Sequence, residues 1–342
     1  MDKVARYHRR CFLILLTLLC VAAAVTLLSV YAGSYRVSFG DTILGIFNRA
    51  PDSRINIIMR NTRLPRALTA LCGGWALGIS GCVLQSILRN PLASASTLGI
   101  SQGAAFGAAF AIIVLGAARA GQAGTALVSA CAFAGSMGVS VTILALSRFV
   151  RISPEAMILA GVAISALFSG ATALIQYFAN DVELSQLVFW TFGDLGRSGW
   201  REIRVMAVSA LLASVLFFIN RWKYNALESG EDSARTLGVN VRGQRLLNMF
   251  VCSLATALVV SIAGLINFIG LIAPHIVRRF IGNNHAWLLP ASALMGAILL
   301  LLGDMAARLV IAPVILPIGA ISSFLGAPLF LYLLFRGAGS RP

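Results

Sequence analysis

The sequence predicts an all-α polytopic membrane protein of about ten transmembrane helices, on three observations. Of its 342 residues 58% are hydrophobic and only 11% are charged, with a mean hydropathy of +0.87. A typical soluble domain carries about 25% charged residues. The apolar residues also come in runs near the length that crosses a ~30 Å hydrocarbon layer. The charges are scattered between those runs.

Segments of spanning length fall at about 11–32, 63–84, 94–118, 122–147, 155–178, 202–220, 246–264, 266–281, 287–309 and 317–336. The first follows Lys3, Arg6, Arg9 and Arg10, as a signal peptide would. Its apolar stretch is long enough to span and no clean A-x-A site follows, so it reads as a retained first helix. The pair 246–264 and 266–281 requires a turn near Gly264, with both helices short. An even number of crossings places both termini on one side, in the cytoplasm by the positive-inside rule. That side then carries sixteen basic residues, Arg151 and Arg341 among them, against eleven outside, Arg36 among them. The chain is read as one transmembrane domain, 1–342, of the cell (inner) membrane, in contact with lipid.

Three polar stretches interrupt the runs. Segment 33–62 is expected to be partly helical and interfacial. Segment 179–201 holds Trp190, Gly193, Gly196 and Trp200, with aromatics at interface height. Segment 221–245 is the most charged part of the chain and suits one or two short helices. Gly74-x-x-x-Gly78 and Gly103-x-x-x-Gly107 predict close helix approach.

Several chemistries are excluded. The only lysines are Lys3 and Lys223, and neither follows a glycine, so no GxxxxGK[ST] phosphate loop exists. HExxH and GxSxG are absent, and no catalytic residue or cofactor is expected. The six cysteines sit in apolar runs without a CxxC pair and read as small buried hydrophobes. The histidines, His8, His275 and His285, are far apart, so no metal site is expected. The net charge of +15 is not grouped into a stripe with aromatics, so no nucleic acid is expected as partner. Asp304 is the one clear carboxylate within a helix. It is a proton-relay candidate by location, but it also lies four residues before Arg308, the spacing of a helical ion pair. The ion-pair reading is favoured. With so few buried ionisable groups, energy is expected from another subunit. The alternatives are a secondary carrier or channel without an ATPase, which calls for intramembrane charges, and a membrane-embedded enzyme, which calls for convergent His, Asp or Glu.

Six stretches carry a resemblance. They are Arg63-Leu-Pro-Arg66, Leu84-Gln-Ser-Ile-Leu-Arg-Asn-Pro-Leu-Ala93 running into Leu98-Gly-Ile-Ser-Gln-Gly103, Ala234-Arg-Thr-Leu-Gly-Val239, Phe268-Ile-Gly-Leu-Ile-Ala-Pro-His-Ile-Val-Arg278, Leu316-Pro-Ile-Gly319 and Leu325-Gly-Ala-Pro328. In this order and spacing the chain resembles the permeases of type II ATP-binding-cassette importers for iron–siderophore complexes, haem and vitamin B12, the FecCD/BtuC-type family. The first 60 residues carry none of these motifs.

The resemblance implies a type II permease fold and a set of roles. Arg63, Arg66 and Arg308 match outer-face arginines that pair with glutamates of a substrate-binding protein, in keeping with a basic outer face. Glu228, Glu231, Asp232, Arg235, Leu237 and Gly238 match the coupling helices that enter a groove of the ATPase. A short charged helix ended by Leu-Gly can also act as a rigid peg on physical grounds. Asn90, Pro91 and Leu92, with Ser153 and Pro154, match the cytoplasmic gates. Segments 155–178 and 317–336 match the pathway helices, with Ser165, Ser169, Thr172, Ser322 and Ser323 as lining. Partner ATPase subunits drive alternating access, and a second permease copy or a related permease completes the pathway. The cargo is an iron chelate, ferric siderophore or haem, or cobalamin, with iron chelates the commonest class.

Overall fold

The structure, a computed structural model, describes residues 2–33, 35, 37–119, 121–149 and 153–338. Arg36, Arg151 and Arg341 lie outside the described residues. All regular structure among the described residues is helical. Among them, seven helical stretches are long and apolar enough to cross a membrane.

In chain order the helices are α1 (Asp2–Tyr31), α2 (Phe39–Ile46), α3 (Ser53–Ile58), α4 (Leu64–Ile87), α5 (Ile100–Ala109), α6 (Gly121–Phe149), α7 (Pro154–Tyr177) and α8 (Asp181–Phe192). There follow α9 (Trp200–Ile219), α10 (Arg221–Glu228), α11 (Glu231–Thr236), α12 (Val241–Ala263), α13 (Ile269–Ile281), α14 (His285–Leu309) and α15 (Ile318–Ala338). Each of the ten predicted segments contains one of them. Two are shorter than predicted. α5 begins only at Ile100, because Asn90–Gly99 is an irregular loop, exposed at Pro91 and Leu92 and largely buried from Ala93 on, held by its own hydroxyls: the Ser94 amide donates to Thr97 Oγ1 at 2.9 Å. α13 begins at Ile269, after a turn in which Gly264 (φ +81°) ends α12 and Phe268 adopts the left-handed region. Backbone of this kind is tolerated in a membrane protein when it is packed inside the bundle.

Local chemistry accounts for the helix starts. Ser38 and Asp52 cap α2 and α3 by accepting from Asp41 and Arg54 amides. Ser153 caps α7, with Pro154 in the first turn, where its missing N–H costs nothing. α8 starts from a reciprocal box, Asn180 Oδ1 accepting from the Glu183 amide and Glu183 from the Asn180 amide.

α4 is the hub, packed against α9, α12, α13 and α14. Its interface with α14 is built from glycines. A Cβ on Gly74 would lie 2.4 Å from the Gly296 carbonyl oxygen, and one on Gly78 2.3 Å from that of Ser292. The second predicted pair behaves alike: Gly103 and Gly107 of α5 meet the Gly135 and Cys131 carbonyls of α6. Close backbone approach substitutes for the hydrophobic drive that lipid cannot supply between helices. Gly107→Ala would push a methyl to 2.0 Å from the Cys131 oxygen. It is expected to destabilise the fold by about 1–3 kcal/mol, the usual cost of overpacking. Gly138→Ala on the same α6, where nothing lies within 4 Å, is expected to be neutral or slightly stabilising. Thermal unfolding of the two variants in detergent checks the contrast.

α4 and α14 run antiparallel. The start of α4 therefore shares one end of the bundle with the last turn of α14, and the end of α4 shares the other with His285. α15 leaves the first end, with Ile318 against Gly303, and passes Phe268 on its way toward the second, where α1 begins. Of the six cysteines, Cys11, Cys82 and Cys252 are buried as expected; Cys72 and Cys131 are half-buried, and Cys20 is exposed on α1.

Candidate functional site

The first end carries the arginines named from sequence. Asp304, one turn before the end of α14, is fully buried and takes one guanidinium on each oxygen. Arg66 Nε donates to Oδ1 at 2.7 Å and Arg308 Nε to Oδ2 at 2.9 Å. Arg66 also reaches Asp194 at 3.4 Å. Arg308 goes on to donate to the Ala32 carbonyl and to both oxygens of Ser29. Arg63 donates to the carbonyls of Val30, Tyr31 and Tyr35. It thus satisfies the orphan acceptors at the C-terminus of α1, where the helix dipole favours a cation.

These contacts differ from the sequence expectation in one respect. Arg63 and Arg66 are 6% and 7% exposed, and the Arg308 side chain is nearly as buried. All three are committed to internal partners and clamp α1, α4, α14 and the Asp194 loop together. Among the described residues, exposed arginines of this end include Arg54, Arg60, Arg201 and Arg204. The Trp200 indole, donating to the Arg60 carbonyl at 3.1 Å, brings two of those stretches together. The ion-pair reading of Asp304 agrees with the geometry: each of its oxygens accepts from a guanidinium.

At the opposite end, segment 221–245 forms two short helices, α10 and α11, ahead of α12. Glu231 starts α11 and pairs with Arg245 of α12 and with Arg235 at 3.5 Å. Asp232 pairs with Arg235 at 3.6 Å. Leu237 closes α11, and Gly238 follows at φ +80° as a left-handed cap. Leu237 stays 64% exposed, an apolar tip on a charged helix. Glu228 is exposed and accepts from Asn283 at 3.4 Å.

The base of this peg is fixed by a buried polar network that sequence spacing did not reveal. The Tyr224 hydroxyl donates to Asn248 Oδ1 at 2.7 Å, and burial raises its pKa above the ordinary value. Asn225 Oδ1 accepts from the His285 amide and from His285 Nδ1 at 2.8 Å. That leaves His285 Nε2 as acceptor for the Ser86 hydroxyl at 2.6 Å. α10 is thereby tied to α4, α12 and α14. Arg245 Nε also donates to the Ile87 carbonyl, three residues before Asn90.

Both stretches predicted as gates lie at this end. Asn90 Oδ1 accepts from the Leu92 amide at 2.8 Å, an Asx turn into Pro91. Ser153 and Pro154 border a cavity of about 520 Å³ whose other wall holds Glu231, Arg235 and Arg245. Arg245 therefore touches the peg, the end of α4 beside the first gate, and the cavity beside the second.

The predicted lining residues are split. Ser165, Thr172 and Ser322 turn their hydroxyls back onto their own helices, at 2.7, 2.7 and 3.0 Å from the Gly161, Phe168 and Gly319 carbonyls. Ser323 meets Asn267 at 3.5 Å, and only Ser169 is exposed. The outward faces of α7 and α15 are instead apolar, with Leu159, Leu167, Leu174, Phe324 and Phe335 exposed.

A tight helical bundle, apolar along its flanks and charged at two ends, defines a multi-pass membrane permease. The chain belongs to the FecCD transport family, whose model matches residues 18–336. It is 48% identical over 317 residues to an ABC transporter permease protein of Methanocaldococcus jannaschii, covering 90% of each chain. It is 36% identical to the hemin transport system permease protein HmuU of Yersinia pestis, over 95% of this chain and 96% of that one. It is 38% identical to the vitamin B12 import system permease protein BtuC of Salmonella paratyphi A, over 95% of each. A solved inward-facing metal-chelate type ABC transporter superposes with a TM-score of 0.83 at 32% identity, covering 94% of this chain and 99% of that chain.

Proposed function

We propose that this chain is the membrane subunit of an ATP-binding-cassette importer for an iron chelate (ferric siderophore or haem) or cobalamin, driven by a separate ATPase. The observation that carries this reading is the peg: an exposed leucine on a short charged helix, braced by Glu231–Arg245 and by the Tyr224–Asn248 and Asn225–His285–Ser86 contacts. An unbraced loop would dissipate a push. A braced one transmits it to α4 and α12.

On this reading all ten principal helices cross the membrane, both termini are cytoplasmic, and the peg end faces the ATPase. Glu228, Glu231, Asp232, Arg235, Leu237 and Gly238 form the docking element. Asn90–Leu92 and Ser153–Pro154 are the cytoplasmic gates, moved through Arg245. A substrate-binding protein delivers cargo at the other end, where Arg63, Arg66 and Arg308 hold the platform from beneath and the exposed Arg54, Arg60, Arg201 and Arg204 offer guanidinium groups to carboxylates. The apolar faces of α7 and α15 meet a second permease copy across the pathway, a smooth wall for a bulky chelate. A secondary carrier finds less support, since Asp304, the fully buried carboxylate among the described residues, is already doubly paired.

The test is co-purification. Tagged chain co-expressed with the ATPase subunit encoded beside it is expected to bring that subunit down in a one-to-one ratio. Recovery of the chain alone, monodisperse and without ATPase, would count against the proposal.

A further inference from the structure

α1 begins with three arginines and continues as an apolar helix. Arg6, Arg9, Arg10, Leu13 and Thr17 follow one another at helical spacing, so cation and apolar stripe share one face. That face forms one wall of a groove of about 650 Å³, and Val277, Phe280 and Met295 of α13 and α14 form the other. The walls are fixed to each other: the Tyr7 hydroxyl donates to the Ile281 carbonyl at 3.0 Å, and the Trp287 indole to His8 Nδ1 at 3.2 Å. Tyr7, His8 and Trp287 are amphipathic rings of the kind that settle at headgroup depth. From Arg6 to Leu18 the helix rises about 18 Å, close to the ~15 Å of one leaflet's hydrocarbon. Arg9 and Arg10 are exposed and make no ion pair among the described residues.

We propose that this groove between α1 and the α13–α14 corner is a binding site for an anionic phospholipid, its phosphate at the arginines and an acyl chain along Leu13, Thr17 and Leu18. Charge complementarity selects this occupant. A second copy docked by a two-fold axis would set the same arginines against one another. An acidic protein segment would match the mouth but leave the apolar floor below it unfilled. A zwitterionic lipid would fill the floor and gain little at the mouth.

The experiment titrates the purified full chain in detergent with dioleoyl phosphatidylglycerol and, separately, dioleoyl phosphatidylcholine, counting bound lipid by native mass spectrometry. Equal chains leave the headgroup as the only variable. Wild type is expected to take up phosphatidylglycerol at concentrations where phosphatidylcholine does not bind. A basic side chain near an anionic surface contributes a factor of about five. R9Q/R10Q should therefore weaken phosphatidylglycerol binding about 25-fold, while R9K/R10K retains it. Thr17→Trp, which fills the groove below the arginines, should weaken it with every charge in place. Equal uptake of the two lipids by wild type overturns the proposal, as does an undiminished preference in R9Q/R10Q. If R9Q/R10Q does not yield folded protein, unchanged binding to Thr17→Trp overturns it alone.

Discussion

Asp304→Asn is expected to destabilise the protein by about 3–5 kcal/mol, the usual consequence of stripping one partner from a buried ion pair. The carboxylate is wholly enclosed and pairs with two guanidiniums, Arg66 and Arg308, which are themselves almost buried. The amide is nearly isosteric but offers one acceptor oxygen and no charge. Asp194 still meets Arg66 at 3.4 Å, but its side chain is 42% exposed and it makes no ion pair with Arg308 among the described residues. A surface pair would lose only ~0–1 kcal/mol, so the magnitude distinguishes a keystone from an ornament. The measurement is thermal unfolding of wild type and variant in the same detergent. Adding Arg308→Met to the variant should restore part of the loss, because it removes an uncompensated buried cation. A proton relay would behave differently: Asp304→Asn would abolish transport and leave stability intact.

Leu237→Glu is expected to lower ATP-driven transport about 100-fold while leaving the fold unchanged. The side chain is largely exposed and the following Gly238 has open space around it, so the permease alone should tolerate the change. In the docked state the loss is double. Burial of a leucine contributes about 1.5–3 kcal/mol, and a carboxylate in its place adds a desolvation penalty. Each 1.4 kcal/mol is a factor of ten in affinity. Glu231→Gln acts one step further back: it frees Arg245 and loosens α11, so it should uncouple ATP hydrolysis from transport with the ATPase still bound. Parallel assays of hydrolysis and uptake in proteoliposomes separate the two variants.

How much of this was legible in the sequence depended on the range of the interaction. The helices were legible because hydropathy is local: each predicted segment holds one helix, and the turn expected near Gly264 is there. The glycine faces of α4 and α5 were legible because Gly-x-x-x-Gly leaves no other use for the space. The peg was legible because a charged stretch ending in Leu-Gly carries its own cap. α8 was not anticipated, although Asn180 and Glu183 stand at capping-box spacing and could have announced it. Hydropathy extends the helix over Ser94–Gly99 because the Ser94 and Thr97 hydroxyls, which bond the backbone of the loop there, are invisible to an average.

The sites were less legible where burial decides. Arg63, Arg66 and Arg308 look like surface charge in a sequence. The Asp304–Arg308 pair is local, but the contacts of Arg66 with Asp304 and Asp194, and of Arg63 and Arg308 with the carbonyls of Ser29, Val30, Tyr31, Ala32 and Tyr35, are assembled only by the tertiary fold. Arg245 likewise gains its position from Glu231 on another helix. Three of the hydroxyls of α7 and α15 donate to a carbonyl one turn back, a local bond that residue type alone does not announce. The outward faces those helices present are apolar.

The most direct test of the central claim, that energy enters through a partner at the peg and not through this chain, is uptake into proteoliposomes. Ferric siderophore, haem and cobalamin are each offered on a binding protein to vesicles holding this chain alone, or this chain with its ATPase and internal ATP. The account predicts accumulation of one of these cargoes only with the ATPase and ATP, abolished by Leu237→Glu. Accumulation by vesicles holding this chain alone would contradict it.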